Sequence, residues 1–497
     1  MFKYDDTICA PATSVGTGAI SIIRISGPDA LKITDSVVHF RSGAALSSEG
    51  YSLKYGIVPD VDEVLVSIFR SPHSYTGEDS AEISCHASPF VVSKILEMLV
   101  AAGARNAAPG EFTRRAFVNG KMDLAQAEAV ADLISSETEA AHRVAVNQLR
   151  GRYSSELKNL RDDLINLSAL LELELDFSEE DVEFADRARL KDILEKTSSH
   201  VIRLCNSFRI GNAIRKGVPV VIAGAVNSGK STLLNALLGE DRAIVSDIPG
   251  TTRDTVEELL TLGGVQFRFI DTAGIRETTD PVERKGIDRS LESLSKAELV
   301  IGVLDGCVPL EEACRSCKTI VESLSPSQTL IMLRNKVDAY DAIAPEEFPS
   351  VDRSYGILPL KYPAFGTYDM DPESFSDALS SYMEDKGLKL PSDFKVMDIS
   401  AKTGEGLDNL KSAIASGYSG IGTSADMTLV TNLRHFEALS RAREDLSKVS
   451  AGLSFGAGTE LVAEDLRSAI RELGSIFGDI TSDEVLGRIF EKFCIGK

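Results

Sequence analysis

Residues 218–238 read VPVVIAGAVNSGKSTLLNALL: a β-branched apolar run, a glycine-bounded loop, and an apolar segment with helical spacing. The loop Gly224-Ala225-Val226-Asn227-Ser228-Gly229-Lys230-Ser231 fits the pattern G-x-x-x-x-G-K-[ST]. Small residues there let successive backbone N–H groups curl around phosphate oxygens, and the following helix N-terminus adds a favourable dipole. Lys230 is expected to reach the outer phosphates and Ser231 to ligate Mg2+, with Thr232 beside them as a further nucleotide contact. The octet alone also arises by chance in surface loops. A strand before it and a helix after it turn it into a nucleotide signal.

Downstream, Val265 to Ile270 reads as a strand that delivers Asp271-Thr272-Ala273-Gly274. An aspartate at a strand end can hold Mg2+ through water, and the glycine N–H can sense a terminal phosphate. The apolar run Gln328 to Leu333 delivers Asn335-Lys336-Val337-Asp338, whose last carboxylate can accept both N–H donors on the edge of guanine. Adenine would leave buried groups unpaired there. Ser400-Ala401-Lys402, after a strand-like Lys395 to Ile399, supplies a backbone contact to the base. Four motifs in this order on alternating strands and helices predict a Ras-like, doubly wound P-loop GTPase domain.

Two details bear on mechanism. Ile275 follows Gly274 where signalling GTPases carry a glutamine that orients water, and an apolar side chain cannot do that job. Asn227 in the phosphate loop and the oxygen-rich stretch Ser246-Asp247-Ile248-Pro249-Gly250-Thr251-Thr252 could wrap a monovalent cation, supplying the charge that an arginine finger gives elsewhere.

Upstream, Ala19 to Gly27 and Glu63 to Phe69 alternate like strands, Tyr75 to Ile83 is a turn entering another, and Phe90 to Ala102 has helical spacing. Arg24 interrupts an apolar strand, either as an edge-facing solvated charge or as an anion ligand. From Asp123, a plausible N-cap, residues 124–149 read as a continuous helical pattern that breaks near Gly151 and resumes. The acidic run Glu172 to Asp186 reads as a solvated helix face and inter-helix loop. A helix over about 190–210 leads into the phosphate loop, and helical patterning returns only after Thr423. The nucleotide domain therefore reads as an insertion into a helical domain.

A chain of 497 residues is long for one core, and roughly three domains are expected. No apolar run approaches a membrane span and the first residues lack a signal-peptide layout, so no membrane association and a cytoplasmic location are expected. Seven scattered cysteines argue against a disulfide framework. Cys314-Arg315-Ser316-Cys317 is a lone CxxC, open to a metal or redox role or to two ordinary helix cysteines. The net charge of -22 should repel nucleic acid at long range, so an RNA function would need a local basic patch or a partner.

These features together resemble the MnmE (TrmE) family of tRNA-modification GTPases over essentially the whole chain. The most specific signs are Asn119-Gly120-Lys121-Met122-Asp123-Leu124-Ala125-Gln126-Ala127-Glu128-Ala129 and Phe493-Cys494-Ile495-Gly496-Lys497. The resemblance implies an α/β plus α architecture: an N-terminal folate-binding and dimerisation α+β domain (1–118), a discontinuous helical bundle (119–215 and 420–497), and an inserted GTPase domain (216–419). It implies that Arg24, Glu82, Lys121 and Lys497 contact a 5-formyltetrahydrofolate or related folate, which favours the anion-ligand reading of Arg24. Asn227, Ser246, Ile248 and Thr251 would ligate K+, Ser231 and Thr252 Mg2+, and Glu283 would position the attacking water. On residues alone, Glu283 reads as a solvated helix-start glutamate. The implied partners are GTP and GDP, a second copy in a homodimer, tRNA, and the FAD-bearing flavoprotein MnmG (GidA) in a heterotetramer. The implied reaction adds carboxymethylaminomethyl to carbon 5 of the wobble uridine.

Cys494 stays open between a catalytic or substrate-contacting thiol, a structural cysteine and a poorly fitting prenylation box. Between Asp338 and Ser400 the chain is longer than such domains need, which suggests an insertion around 345–372. The rival reading is a ribosome-assembly or signalling GTPase, a switch with no one-carbon chemistry.

Overall fold

The computed structural model describes residues 5–14, 16–176, 187–239, 258–270, 294, 296–325, 328–339, 367, 370–390, 394, 396–418, 428–455, 458–479, 483–491, 493 and 496. The chain forms two compact units: one from Met1–Ser136, His142–Asn206 and Thr428–Lys497, the other from Glu137–Ala141 and Ser207–Met427.

The first unit opens with a mixed sheet of β1 (Ile8–Pro11), β2 (Ile20–Ser26), β3 (His39–Phe40), β4 (Ser52–Val58), β5 (Asp62–Phe69), β6 (Ser80–His86) and β7 (Arg105–Asn106). Their spatial order is β3-β4-β5-β6-β2-β1-β7, antiparallel except for the parallel β1–β7 pair. Alternation along the strands sends Cys9, Ile23, Ile25, Val64, Val66, Ile68, Ala81 and Ile83 to one face. Helices Ala30–Val37 and Pro89–Ala101 cover that face with Leu31, Ile33, Ile95 and Leu99. The opposite face of β1 packs Ile8 and Ala10 against Phe112 and Tyr75. β2 lies between β6 and β1, so Arg24 is on an interior strand, not at an edge.

The helical part of this unit begins where Asp123 caps the helix Leu124–Ile134. The Asp123 carboxylate accepts from Gln126 N at 3.0 Å while the Gln126 side chain accepts from Asp123 N at 2.9 Å, a complete capping box. Ser154 Oγ and Lys158 Nζ also reach this aspartate. The single helical run expected over 124–149 is divided, because Leu124–Ile134 and Glu139–Leu149 are separate helices. Between them the hydroxyls of Ser135 and Ser136 bond to Ala131, Asp132 and Leu133 carbonyls, and Thr138 Oγ1 accepts from Ala141 N. Such local side-chain bonds compete with the helix ladder. Long helices Arg152–Asp176, Arg187–Lys216, Leu433–Phe455 and Thr459–Phe477 supply the leucine core, including Leu157, Leu164, Leu439, Leu446, Leu466 and Leu473. Each such side chain contributes roughly 1.5–3 kcal/mol when fully buried. Leu486 and Phe490, from the helix Asp483–Phe490, pack against Leu124 and Ala127.

The second unit contains β8 (Val218–Gly224), β9 (Glu258–Leu262), β10 (Val265–Phe269), β11 (Leu299–Asp305), β12 (Thr329–Asn335) and β13 (Val396–Ile399). Their order is β13-β12-β11-β8-β10-β9, parallel except for the β9–β10 hairpin. This is a doubly wound sheet, and the carboxyl ends of β8, β11, β12 and β13 form one rim, where such sheets bind ligands. Cys314 and Cys317 are buried in the helix Leu310–Glu322 among Val300, Ile320 and Met332. Burial pushes the Cys317 thiol up to about 12 and that of Cys314 in the same direction, so both remain protonated apolar side chains. The suspected insertion lies outside the described residues except for Thr367 and Met370 to Pro372. Among the described residues no helix is long and apolar enough to cross a membrane.

Candidate functional site

At the rim, β8 ends in Gly224 and the helix Lys230–Gly239 begins six residues later. Asn227 takes a left-handed backbone (φ 63°), a conformation asparagine tolerates better than most residues, and its side chain is exposed. Gly229 sits at φ 100°, and a Cβ there would collide with the side-chain nitrogen of Asn335. Only glycine lets the phosphate loop approach Asn335 this closely. Lys230 donates to the Gly224 and Ala225 carbonyls at 3.0 and 2.7 Å, so its ammonium lies over the loop, and burial lowers its pKa. Ser228 Oγ is buried with no hydrogen-bond partner among the described residues.

Asn335 joins three segments. Its Nδ2 donates to Ser228 O at 2.8 Å, and its Oδ1 accepts from Ala401 N at 3.0 Å. One amide therefore fixes the distance between the phosphate loop and the Ser400–Ala401 turn. Asp338 accepts from Ser400 Oγ at 2.7 Å, with Lys402 Nζ 4.0 Å from its other oxygen. Lys336, at φ 76°, holds Asp305 at the end of β11 through a 2.6 Å ion pair. A lysine in that conformation costs on the order of 1–3 kcal/mol, as strained residues at functional sites commonly do. The structure thus brings Ser228, Gly229, Lys230, Asn335, Lys336, Asp338, Ser400, Ala401 and Lys402 to one rim, with Asn227, Ser231 and Thr232 in the same loop and helix start. Ser246 to Thr252, Asp271 to Gly274, Ile275, Glu283, Cys494 and Lys497 lie outside the described residues.

The second cluster is in the first unit. Arg24 and Glu82 are direct partners across β2 and β6, and Arg24 Nε and Nη2 both donate to Glu82 Oε1 at 2.9 and 2.8 Å. The guanidinium lies over the rings of Tyr75 (5.1 Å) and Phe112 (5.6 Å). Burial raises the Tyr75 pKa, and its hydroxyl bonds Thr113 Oγ1 at 2.9 Å. Lys121 reaches the loop that carries Tyr75: its ammonium donates to Pro72 O and its stem lies against Gly77. Gly496, at φ 94°, is packed so closely on Pro11 that a Cβ would strike the Pro11 carbonyl. Pro11 follows Ala10, the β1 partner of Arg24.

No motif in the sequence marks what holds this cluster. Arg115 is fully buried and donates to Asp6 O and Oδ1 (2.8 and 2.7 Å), Glu78 Oε1 (3.2 Å) and Glu111 Oε1 (3.1 Å). Ser26 Oγ donates to the other Glu78 oxygen at 2.7 Å. The network anchors the loop that carries Tyr75. Its members are up to 109 positions apart, so no local spacing announces it.

The sheet order, the phosphate loop and the paired loops 335–338 and 400–402 define a P-loop GTPase domain, carried by a chain with a separate sheet-and-helix unit. Residues 7–121 match the family described as the GTP-binding protein TrmE N-terminus, and residues 124–494 match the MnmE helical domain. The chain is 43% identical over 501 residues to the tRNA modification GTPase MnmE of Bacteroides thetaiotaomicron, covering 99% of both chains. It is 43% identical to those of Christiangramia forsetii, over 100% of both, and Flavobacterium johnsoniae, over 99% of both. The chain belongs to the MnmE family of tRNA modification GTPases and is a GTP-hydrolysing enzyme of tRNA modification.

Proposed function

We propose that the chain hydrolyses GTP to drive addition of a carboxymethylaminomethyl group to carbon 5 of the wobble uridine of tRNA. It works as a homodimer with a flavoprotein of the MnmG (GidA) type, which brings FAD, and it draws the one-carbon unit from a formylated tetrahydrofolate. What supports the folate part is one juxtaposition: Gly496, from the Phe493–Lys497 stretch, lies on β1 beside the strand of Arg24. A guanidinium paired to a carboxylate and flanked by two aromatic rings suits a flat heteroaromatic ring with polar edges. Arg24, Glu82, Lys121 and Lys497 are the proposed contacts, and Cys494 is the proposed catalytic or substrate-contacting thiol.

For the GTPase, Asp338 reads the base, Lys230 the outer phosphates, and Glu283 orients water where Ile275 cannot. The exposed Asn227 and the first-turn Ser231 fit oxygen-ligated cations. Asn227, Ser246, Ile248 and Thr251 would hold K+, and Ser231 with Thr252 would hold Mg2+. Bound there, such cations neutralise charge that builds between the outer phosphates. The proposed domains are 1–118, 119–215 with 420–497, and 216–419.

The test is turnover with Na+ in place of K+. Hydrolysis should slow strongly with nucleotide affinity nearly unchanged, and Asn227→Ala should erase the difference between the ions. Equal turnover in the two ions would remove the cation mechanism and favour an arginine supplied by a partner.

A further inference from the structure

We infer that Arg334 is a positioning residue for guanine selectivity, acting by locking β12 to β13 immediately before both base-reading loops. The inference rests on the proposed base-reading role of Asp338. Arg334 precedes Asn335-Lys336-Val337-Asp338, and its side chain is 2% exposed where it follows the apolar run 330–333 of β12. Its direct partner on β13 is Asp398, two positions before Ser400. Nε donates to Asp398 Oδ1 at 2.6 Å and Nη2 to Oδ2 at 2.5 Å, a two-pronged pair that allows little sliding or rotation. Nη1 donates to the carbonyls of Thr367 (2.6 Å) and Met370 (2.9 Å), and the guanidinium lies 4.9 Å from the centre of the Phe375 ring.

Two of these contacts, Thr367 and β13, lead on to the base site. Thr367 N donates to Gly306 O, and Gly306 N donates to Asn335 O, which ties in the turn after Asp305, the partner of Lys336. On the other side the β12–β13 stagger decides whether Ala401 N meets Asn335 Oδ1 and whether Ser400 Oγ meets Asp338. A leucine at 334 would fill an apolar strand interior, but it could not fix that stagger. The guanidinium spans Asp398, the Thr367 and Met370 carbonyls and Phe375 at once, and a lysine has no planar fork with which to do so. Asp338 can discriminate the guanine 2-amino group only while its carboxylate is held in plane with the base, so loss of the fork should weaken selectivity before it weakens binding at large.

The full chain is tested as wild type, Arg334→Lys, and the double variant Arg334→Met with Asp398→Leu. The double change removes both charges together, leaving no orphaned carboxylate to unfold the strand pair. Dissociation constants for GDP and for inosine diphosphate, which lacks the 2-amino group, are measured with the melting temperature. The preference for GDP should fall about tenfold in the double variant and measurably in Arg334→Lys, since loosening a supporting contact costs on the order of one tenfold step in discrimination. A lowered melting temperature with the preference unchanged would show an ordinary structural pair and overturn the inference. Asp338→Asn, run beside them, should turn preference toward xanthosine diphosphate. If it keeps the guanine preference, the base-site reading falls and this inference with it; if it switches while the double variant discriminates normally, Arg334 alone is wrongly assigned.

Discussion

Asn335 shows how much one buried side chain can do when both ends of its amide are used. It holds Ser228 O with its nitrogen and Ala401 N with its oxygen, and the neighbouring Gly229 has no room for a Cβ. The motif around Asn335 is plain in the sequence, but the contact to Ser228 joins residues 107 positions apart and is not. Arg24 shows the converse case. Its place in an apolar alternation was visible, whereas its surroundings were not: it sits on an interior strand, with side chain 16% exposed and Nε and Nη2 both on Glu82. Because that guanidinium is already oriented by Glu82, Tyr75 and Phe112, a folate bound against it should lose affinity without a change in fold when the side chain is cut. Calorimetry of 5-formyltetrahydrofolate should show at least tenfold weaker binding in Arg24→Ala, about the loss expected for one charge-assisted contact. Equal affinity in the two proteins removes Arg24 from the site.

Among the elements, the helix Leu124–Ile134 carries the most information per residue. Asp123 and Gln126 close its capping box, and Glu128 turns inward to meet the start of the helix Leu433–Phe455. Glu128 accepts from Arg434 Nη2 at 2.8 Å and lies 2.7 Å from His435 Nε2, while Arg434 also donates to the Ser475 and Ile476 carbonyls. His435 stacks on the buried Tyr153. Two parts of the chain some 300 positions apart are joined by this carboxylate. Burial alone would push Glu128 up, but His435 and Arg434 outweigh it and hold the group at about 2, against an ordinary 4.5. A depressed carboxylate contributes fully above its unfolded value and loses that contribution as pH falls through the folded one. Glu128→Gln should therefore cost about 3 kcal/mol at pH 7, the scale of breaking one buried charge pair, and the gap should shrink between pH 4.5 and 2. Urea unfolding of both proteins across that range checks this, and a gap independent of pH would contradict it. The N-cap was legible because capping needs only residues three apart. Neither the partner of Glu128 nor the break at Ser135–Thr138 could be read, since hydroxyl competition and pairing across the insertion leave the apolar periodicity intact.

At the scale of the molecule, the chain leaves one unit near Asn206 and re-enters it near Thr428, with the nucleotide-binding sheet built entirely from what lies between. That arrangement was legible from where helical spacing stops and resumes, and the doubly wound sheet from four strand-end motifs in sequence order. The contact of Gly496 with Pro11 was not, because a glycine advertises no partner until its missing Cβ matters. On the proposed function, GTP hydrolysis in one unit serves one-carbon chemistry on the tRNA wobble base that involves Arg24 of the other. Mass spectrometry of tRNA nucleosides from cells lacking the protein, complemented with wild type or Arg24→Ala, tests it most directly. Deletion should remove the carboxymethylaminomethyl group from the wobble uridine, with restoration by wild type and not by Arg24→Ala. Wobble uridines still fully modified in the deletion strain would contradict it.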